Sequence, residues 1–369
     1  MSDSLLAWAT LAFSPGVGPQ RFLQLLQRFG SAEAALSARP AQLGELLDRD
    51  IAATLGGELA QQSAAAALAW AAADGCHLIT LQDDDYPCQL AEAGAAPPLL
   101  FARGRRELLA APMLAIVGSR NSTPQGDDNA RSFARTLAAN GYSIVSGLAG
   151  GIDAAAHEGA LSQAASTVAV IGTGIDRVYP ARNRELAHRI AEQGLLLSEF
   201  PLGSPPLAQN FPRRNRIIAG LARGCLVVEA TLQSGSLITA RLALEAGREV
   251  MAIPGSILNP QARGCHRLLK DGARLVETVD DVLDEVGRLP LRPSPPTLSA
   301  ASDDDALPQQ PLLQAMGFDP VDADTLAARL GLTPGVVYAM LLELEIQGHV
   351  DSMHGGRYQR RRDATSTTC

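Results

Sequence analysis

The sequence predicts an α/β core, a doubly wound and mostly parallel sheet, set between an N-terminal helical unit and a C-terminal winged helix. Three observations carry this. Short, continuously apolar runs alternate with helix-length segments through the middle of the chain; residues 1–70 show only helical spacing; and a stretch rich in Pro, Ser and Asp precedes a final helix-turn-helix pattern. Apolar strands joined by crossover helices are buried on both faces, which is the mark of a parallel sheet covered on each side.

Taken in order, "LLAWATLAF" and "PQRFLQLLQRFG" read as two helices, the second with Phe22, Leu25, Leu26 and Phe29 on one face. The link between them, "SPGVGPQ", carries the Gly-Val-Gly turn of helix-hairpin-helix modules, so residues 1–70 are expected to form a helix-hairpin-helix or SAM-like domain. Strands are expected at 77–81 and 99–102 around "QDDDYPCQL", then at 114–118, 143–147, 167–172, 195–200, 225–230 and 250–255, with a last strand and helix over 274–286. Together they define a sheet domain over 71–288. Residues 289–310, "LPLRPSPPTLSAASDDDALPQQ", read as a mobile linker. The remainder, 311–369, reads as helix, a turn at Gly331–Thr333, a second helix and a hairpin at Gly355–Gly356, ending in a frayed tail.

Composition sets bounds on function. With 46% hydrophobic, 19% charged and 4% aromatic residues, the chain has enough apolar material for a substantial core and is not disordered. The N-terminus lacks a basic region before its short apolar run and no stretch reaches bilayer length, so neither a signal peptide nor a membrane span is expected and the cytoplasm is the expected compartment. Cys76, Cys88, Cys225, Cys265 and Cys369 are scattered and never form a Cys-x-x-Cys pair, which argues against a disulfide framework and a metal site.

Charge is unevenly placed. The formal net charge is −8, yet no acidic residue occurs from Phe200 to Val228, while Arg213, Arg214, Arg216 and Arg223 all fall there. Lys270 is the sole lysine of the chain, so almost every positive group is a guanidinium suited to bidentate phosphate contact. Four loops follow strands and precede helices: 118–126, 146–161, 172–183 and 231–247. In doubly wound sheets ligands bind beyond the carboxyl ends of the strands, and small residues there let backbone N–H groups approach an anion. The loops offer Ser119, Arg120, Gly147, Gly150, Arg182, Gly235, Ser236 and Thr239 as candidate site residues. The arginine stretch adds Phe211, Arg213, Arg214, Asn215 and Arg216. Several phosphates bound side by side would use such a set; Phe211 could stack on a base, although judged alone it reads first as an ordinary core phenylalanine.

Other motifs read more simply. Asp153 and His157 lie four apart on a helix and could orient each other, but the default is structural, with Asp153 suited to a helix start. Glu229 is expected to cap a turn. No catalytic residue, metal or cofactor is assigned: there is no Walker-type Gly-x-x-x-x-Gly-Lys loop, and "GTGIDR" is an incomplete dinucleotide fingerprint. The second helix of the C-terminal pair carries Glu343 and Glu345 without Arg or Lys, which disfavours reading of a duplex; protein contact, or phosphate contact through Arg357, Arg360, Arg361 and Arg362, fits it better.

The segments "DDDYPCQL" 83–90, "IVGSR" 116–120, "SGLAGGIDAAAHEGAL" 146–161, "TVAVIGTGIDRVYPARNREL" 167–186, "SEFPLG" 198–203, "NFPRRNRIIAGL" 210–221, "SGSLITARLALEAGREVMAIPG" 234–255 and "GCHRLLKDGA" 264–273 together resemble the DprA/Smf family of DNA-processing proteins. The resemblance implies an extended Rossmann-like domain and a non-enzymatic mediator of natural transformation that binds single-stranded DNA, forms a homodimer and loads RecA. It maps strand-binding positions onto Arg120, Arg182, Phe211, Arg214, Asn215 and Arg216, and a dimer and RecA-facing surface onto 264–272 with His266 and Leu269. Two departures stand out: Cys265 occupies a position where many relatives carry Asn, and Arg182 one where Lys is common. The competing reading is a Rossmann-type nucleotide-processing hydrolase assisted by Glu229 or Glu245.

Overall fold

The computed structural model describes residues 2–94, 96–289 and 310–361. Most of the expected linker, and the tail with Arg362 and Cys369, lie outside the described residues.

A nine-stranded sheet organises the chain: β1 Cys76–Thr80, β2 Leu99–Gly104, β3 Met113–Val117, β4 Ser143–Ser146, β5 Thr167–Val170, β6 Leu195–Ser198, β7 Gly224–Val227, β8 Glu249–Ala252 and β9 Arg274–Leu275. Their spatial order is β1-β2-β6-β5-β4-β3-β7-β8-β9. From β6 to β9 all pairs are parallel, whereas β1 and β2 form an antiparallel edge. Every expected strand is present; β2 runs two residues past its expected end, and β1 and β3 to β8 stop one to three residues early, where the backbone turns into the loops. At β6, for example, Ser198 Oγ donates to Thr173 O and accepts from Phe200 N–H, which closes the strand there.

The β3 side chains show why the run "MLAIV" folds this way. Leu114 and Ile116 enter one hydrophobic cluster, while Met113, Ala115 and Val117 enter another on the opposite face. Both faces are dry, so period-two alternation gives way to continuous apolarity.

The N-terminal helices pack on the β1–β2 end. Phe22 and Leu25 of the helix Pro19–Phe29 join one cluster with Phe101 and Leu196 of the sheet, and Trp8 Nε1–H donates to Pro98 O at 2.8 Å. That second helix starts with Pro19 at its first turn and stops at Gly30, whose φ of 84° lets its N–H reach Leu26 O.

The C-terminal unit has its own core around Leu312, Leu326, Val337 and Leu341. Its sheet runs β10 Val321–Asp322, β12 Arg357–Arg360, β11 Val350–Met353. The expected hairpin turns at Gly355 and Gly356, both at positive φ. It touches the core domain through Gln359, whose Oε1 accepts from Gln125 N–H at 3.2 Å and whose Nε2 donates to Gln125 Oε1 at 3.4 Å, while Nε2 is held within its own unit by Phe318 O at 2.8 Å.

Candidate nucleic-acid interface

The chain runs outward through β3, β4, β5 and β6, then crosses back to place β7 on the other side of β3. Ligand crevices open at such a reversal, beyond the carboxyl ends of the two strands. Ser119 and Arg120 leave β3 at this point, and 231–239 leave β7. Ser119 N–H donates to Glu229 O at 2.7 Å, tying the two exits together.

A crevice of about 660 Å³ occupies the reversal, and a second cavity of about 410 Å³ continues from it. Ser119, Arg120, Phe211, Arg214, Asn215, Gly235, Ser236 and Thr239 line the first; Arg120, Gly147, Gly150, Arg182, Phe211 and Arg214 line the second. Residues from all four expected loops thus meet at one rim.

The arginine stretch is not gathered in one place: Arg213, Arg214 and Arg216 take three different settings. Arg213 and Arg216 line neither cavity. The Arg213 guanidinium lies over the Phe200 ring, 5.4 Å from its centroid, and Arg216 is paired with Glu199, whose side chain is almost fully buried. Arg214 reaches the crevice floor but is 4% exposed. Its Nη1 donates to Gly147 O at 2.5 Å and to Val170 O. The guanidinium therefore ties the β4 loop to the end of β5. Burial pushes its pKa down to about 10, with the Asp153 charge opposing, so it stays protonated at neutral pH. Arg120 and Arg182 are exposed and free of carboxylate partners among the described residues.

Glycines make room for these groups. A Cβ at Gly147 would collide with the Arg214 guanidinium and one at Gly150 with that of Arg182. Arg120 lies over the Phe211 ring at 5.2 Å from its centroid, and the Tyr179 ring sits 5.8 Å from that of Phe211. Tyr179 is a site residue the sequence reading missed, although its loop was singled out. Asn183 was missed as well: its Nδ2 donates to Leu148 O and Ala149 O, holding the β4 loop from the far side.

Asp153 and His157 do not bond each other. Asp153 Oδ2 accepts from Gly147 N–H and Ala149 N–H. His157 Nε2 accepts from Leu148 N–H at 3.3 Å, which places the ring proton on Nδ1, 2.7 Å from Thr167 Oγ1. Burial holds this imidazole neutral, its pKa pushed down to about 3. Both side chains pin the loop 147–149 from beneath, the structural role expected of them. Glu229 accepts from Thr123 N–H at 2.9 Å and Thr123 Oγ1–H at 2.6 Å, fixing the residue that caps the helix Pro124–Ala139. Burial raises its pKa to about 7. Glu245, at the far end of its helix, pairs with Arg241. Neither glutamate lines the crevice.

On the helix Arg263–Lys270, His266 Nε2 lies 2.9 Å from Gly255 O and Leu269 packs partly into the core. Cys265 is fully buried, its Sγ 3.7 Å from Val227 O, so the departure from Asn falls behind this helix and not on its surface. Ile257 and Leu258, in the loop before the helix, are 79% and 83% exposed.

Fold and site together define a Rossmann-type domain with an arginine- and aromatic-lined crevice at its switch point, carried between a helical module and a winged helix. The family model of DNA recombination-mediator protein A matches residues 77–287, that of the DprA-like N-terminal HHH domain 2–69 and that of the DprA winged helix domain 293–356. The chain belongs to the DprA/Smf family. It is 44% identical to protein Smf of Escherichia coli over 307 residues, 82% of each chain. Over 206 residues, 56% of this chain and 73% of the relative, it is 50% identical to DNA processing protein DprA of Streptococcus pneumoniae. The X-ray structure of that pneumococcal protein superposes with a TM-score of 0.67 at 39% identity, covering 76% of this chain and 97% of the other. The structure of DNA processing protein A from Helicobacter pylori, solved for its single-stranded DNA binding mode, gives a TM-score of 0.52 at 31% identity over 56% of this chain and 94% of the other.

Proposed function

We propose that this protein is a recombination mediator of natural transformation that holds single-stranded DNA in the switch-point crevice. The carrying observation is the continuity of the two cavities, with exposed Arg120 and Arg182 beside the rings of Phe211 and Tyr179. Guanidiniums neutralise phosphates without reading sequence, and aromatic faces accept any base. Gly235, Ser236 and the start of the helix Ser236–Glu245 add backbone and hydroxyl donors along the same wall. In this reading Arg214 shapes the floor, and Asn215 and Thr239 bound the path.

A mediator must also pass the strand on. We assign the homodimer and RecA-facing surface to the helix Arg263–Lys270, with His266 and Leu269, and extend it to the exposed Ile257 and Leu258. The work is that of a cytoplasmic, non-enzymatic protein. The position of Glu229 and Glu245 away from the crevice favours binding over hydrolysis.

Titration of labelled single strands against duplexes of equal length tests this. Single strands are expected to bind more tightly, and Arg120→Ala with Arg182→Ala to weaken them. Release of free base from nucleoside monophosphates would favour the hydrolase instead. Stimulated assembly of RecA on a strand, lost in Ile257→Glu with Leu258→Glu while strand binding to the monomer persists, tests the surface.

A further inference from the structure

A third cavity, of about 520 Å³, opens beside the first two and shares Tyr179 with both, Pro206 with the main crevice and Thr173 with the smaller one. Its walls carry Arg103, Arg177, Arg184 and His188. All four side chains are exposed, and among the described residues no carboxylate lies within ion-pair distance of any of the three arginines. Asp176 is the acidic group of the lining, and both its oxygens accept from Gly203 N–H, at 2.9 and 3.1 Å.

The three arginines come from three separate elements. Arg103 lies near the end of β2, opposite Leu196 of β6. Arg184 and His188 stand one turn apart on the helix Arg184–Gln193, hence on one face. Arg177 sits in a turn fixed by Thr173 Oγ1–H donating to its carbonyl at 2.7 Å. Like charges gathered from separate elements around a cavity repel one another unless an anion enters. Isolated surface arginines would instead be interspersed with acidic neighbours.

We infer that this groove is a second strand-binding segment: single-stranded DNA leaving the main crevice passes over Tyr179 and lays further phosphates along Arg103, Arg177 and Arg184. The inference rests on the proposed binding of single strands in the crevice. It makes Tyr179 the hinge stone between two stretches of backbone contact, which explains an aromatic ring that is 46% exposed at the junction of three cavities.

The test compares the intact protein with a variant carrying Arg103→Ala, Arg177→Ala and Arg184→Ala on homothymidine strands graded from about 4 to about 16 nucleotides, the span over which single-strand grooves fill. For the intact protein the salt dependence of binding is expected to steepen in two stages with length. The variant, with an unchanged thermal midpoint, is expected to match it on the shortest strands and to lose about 2 units of logarithmic slope on the longest, about 0.7 per phosphate contact. An unchanged slope on long strands overturns the second segment, and so does an equal loss on the shortest strands. Failure of the intact protein to bind any strand overturns the crevice reading and this extension with it.

Discussion

Arg214 Nη1 donates to the carbonyl of Gly147 at 2.5 Å, and the space a Cβ at Gly147 would need is filled by that same guanidinium. A buried charge is thus built into the floor of the crevice, compensated by two carbonyls and the nearby Asp153. Removing one partner of such an arrangement leaves the other uncompensated and typically costs about 3–5 kcal/mol. Arg214→Ala is therefore expected to lower stability by that order. In whatever fraction folds, the salt slope of strand binding should stay near the wild-type value. Urea unfolding together with binding at graded salt checks this; a stable variant with a flattened slope would place Arg214 on a phosphate after all.

Gly147→Ala and Gly150→Ala should behave differently. The first pushes on a guanidinium held by two carbonyls, the second on the exposed end of Arg182. Gly147→Ala is expected to lose stability by about 1–3 kcal/mol, as an overpacked interior does. Gly150→Ala should fold normally and bind strands with a slope about 0.7 units shallower, because Arg182 is displaced. Equal thermal midpoints for the two variants would contradict the distinction.

His157 fits its surroundings only as the neutral tautomer, since a proton on Nε2 would face the Leu148 N–H. Its folded pKa, about 3, lies below the ordinary value of 6.5. The folded state therefore binds fewer protons across that interval, and its contribution to stability is complete above about 6.5 and lost as pH falls toward 3. NMR of the imidazole should show no titration between pH 7 and about 4, a range set by this depressed value. A midpoint near 6.5 would mean that the ring is not sealed beneath the loop.

Glu229 contributes with the opposite sign. Burial raises its pKa from 4.5 to about 7, so the folded state holds this proton more tightly than the unfolded chain. Its contribution is present below about 4.5 and lost as pH rises through about 7. Glu229→Gln keeps an acceptor for Thr123 N–H and supplies a donor for its hydroxyl. The variant should lose the part of the stability profile that declines over this interval, measured by denaturant unfolding at graded pH. An unaltered profile would show that the carboxyl is already charged in the folded protein.

Much of this architecture was legible in the sequence because the strands of a doubly wound sheet are apolar on both faces and cannot be confused with solvated loops. The site rim was legible for a topological reason: whatever follows β3, β4, β5 and β7 must gather at one edge. The separate settings of the arginines were not legible from charge weighed without period. Asn210, Arg214, Ile217, Ile218 and Leu221 lie on the buried face of the helix Asn210–Leu221, so Arg214 points inward, whereas Arg213 is exposed over Phe200 and Arg216 turns to the buried Glu199. The helical spacing was present in "NFPRRNRIIAGL", but an arginine on an apolar face looks like an error until the carbonyls it serves are seen. The groove of Arg103, Arg177 and Arg184 was illegible, since it joins the antiparallel strand β2 to a turn and a helix far along the sequence from it.

The central claim is that exposed guanidiniums at the switch-point crevice grip the phosphates of a single strand. Its most direct measurement is the salt dependence of single-strand affinity for the intact protein and for Arg120→Ala/Arg182→Ala. The double variant is expected to bind more weakly, with a logarithmic slope shallower by about 1.4, about 0.7 for each arginine. Wild-type affinity and slope in that variant would contradict the account.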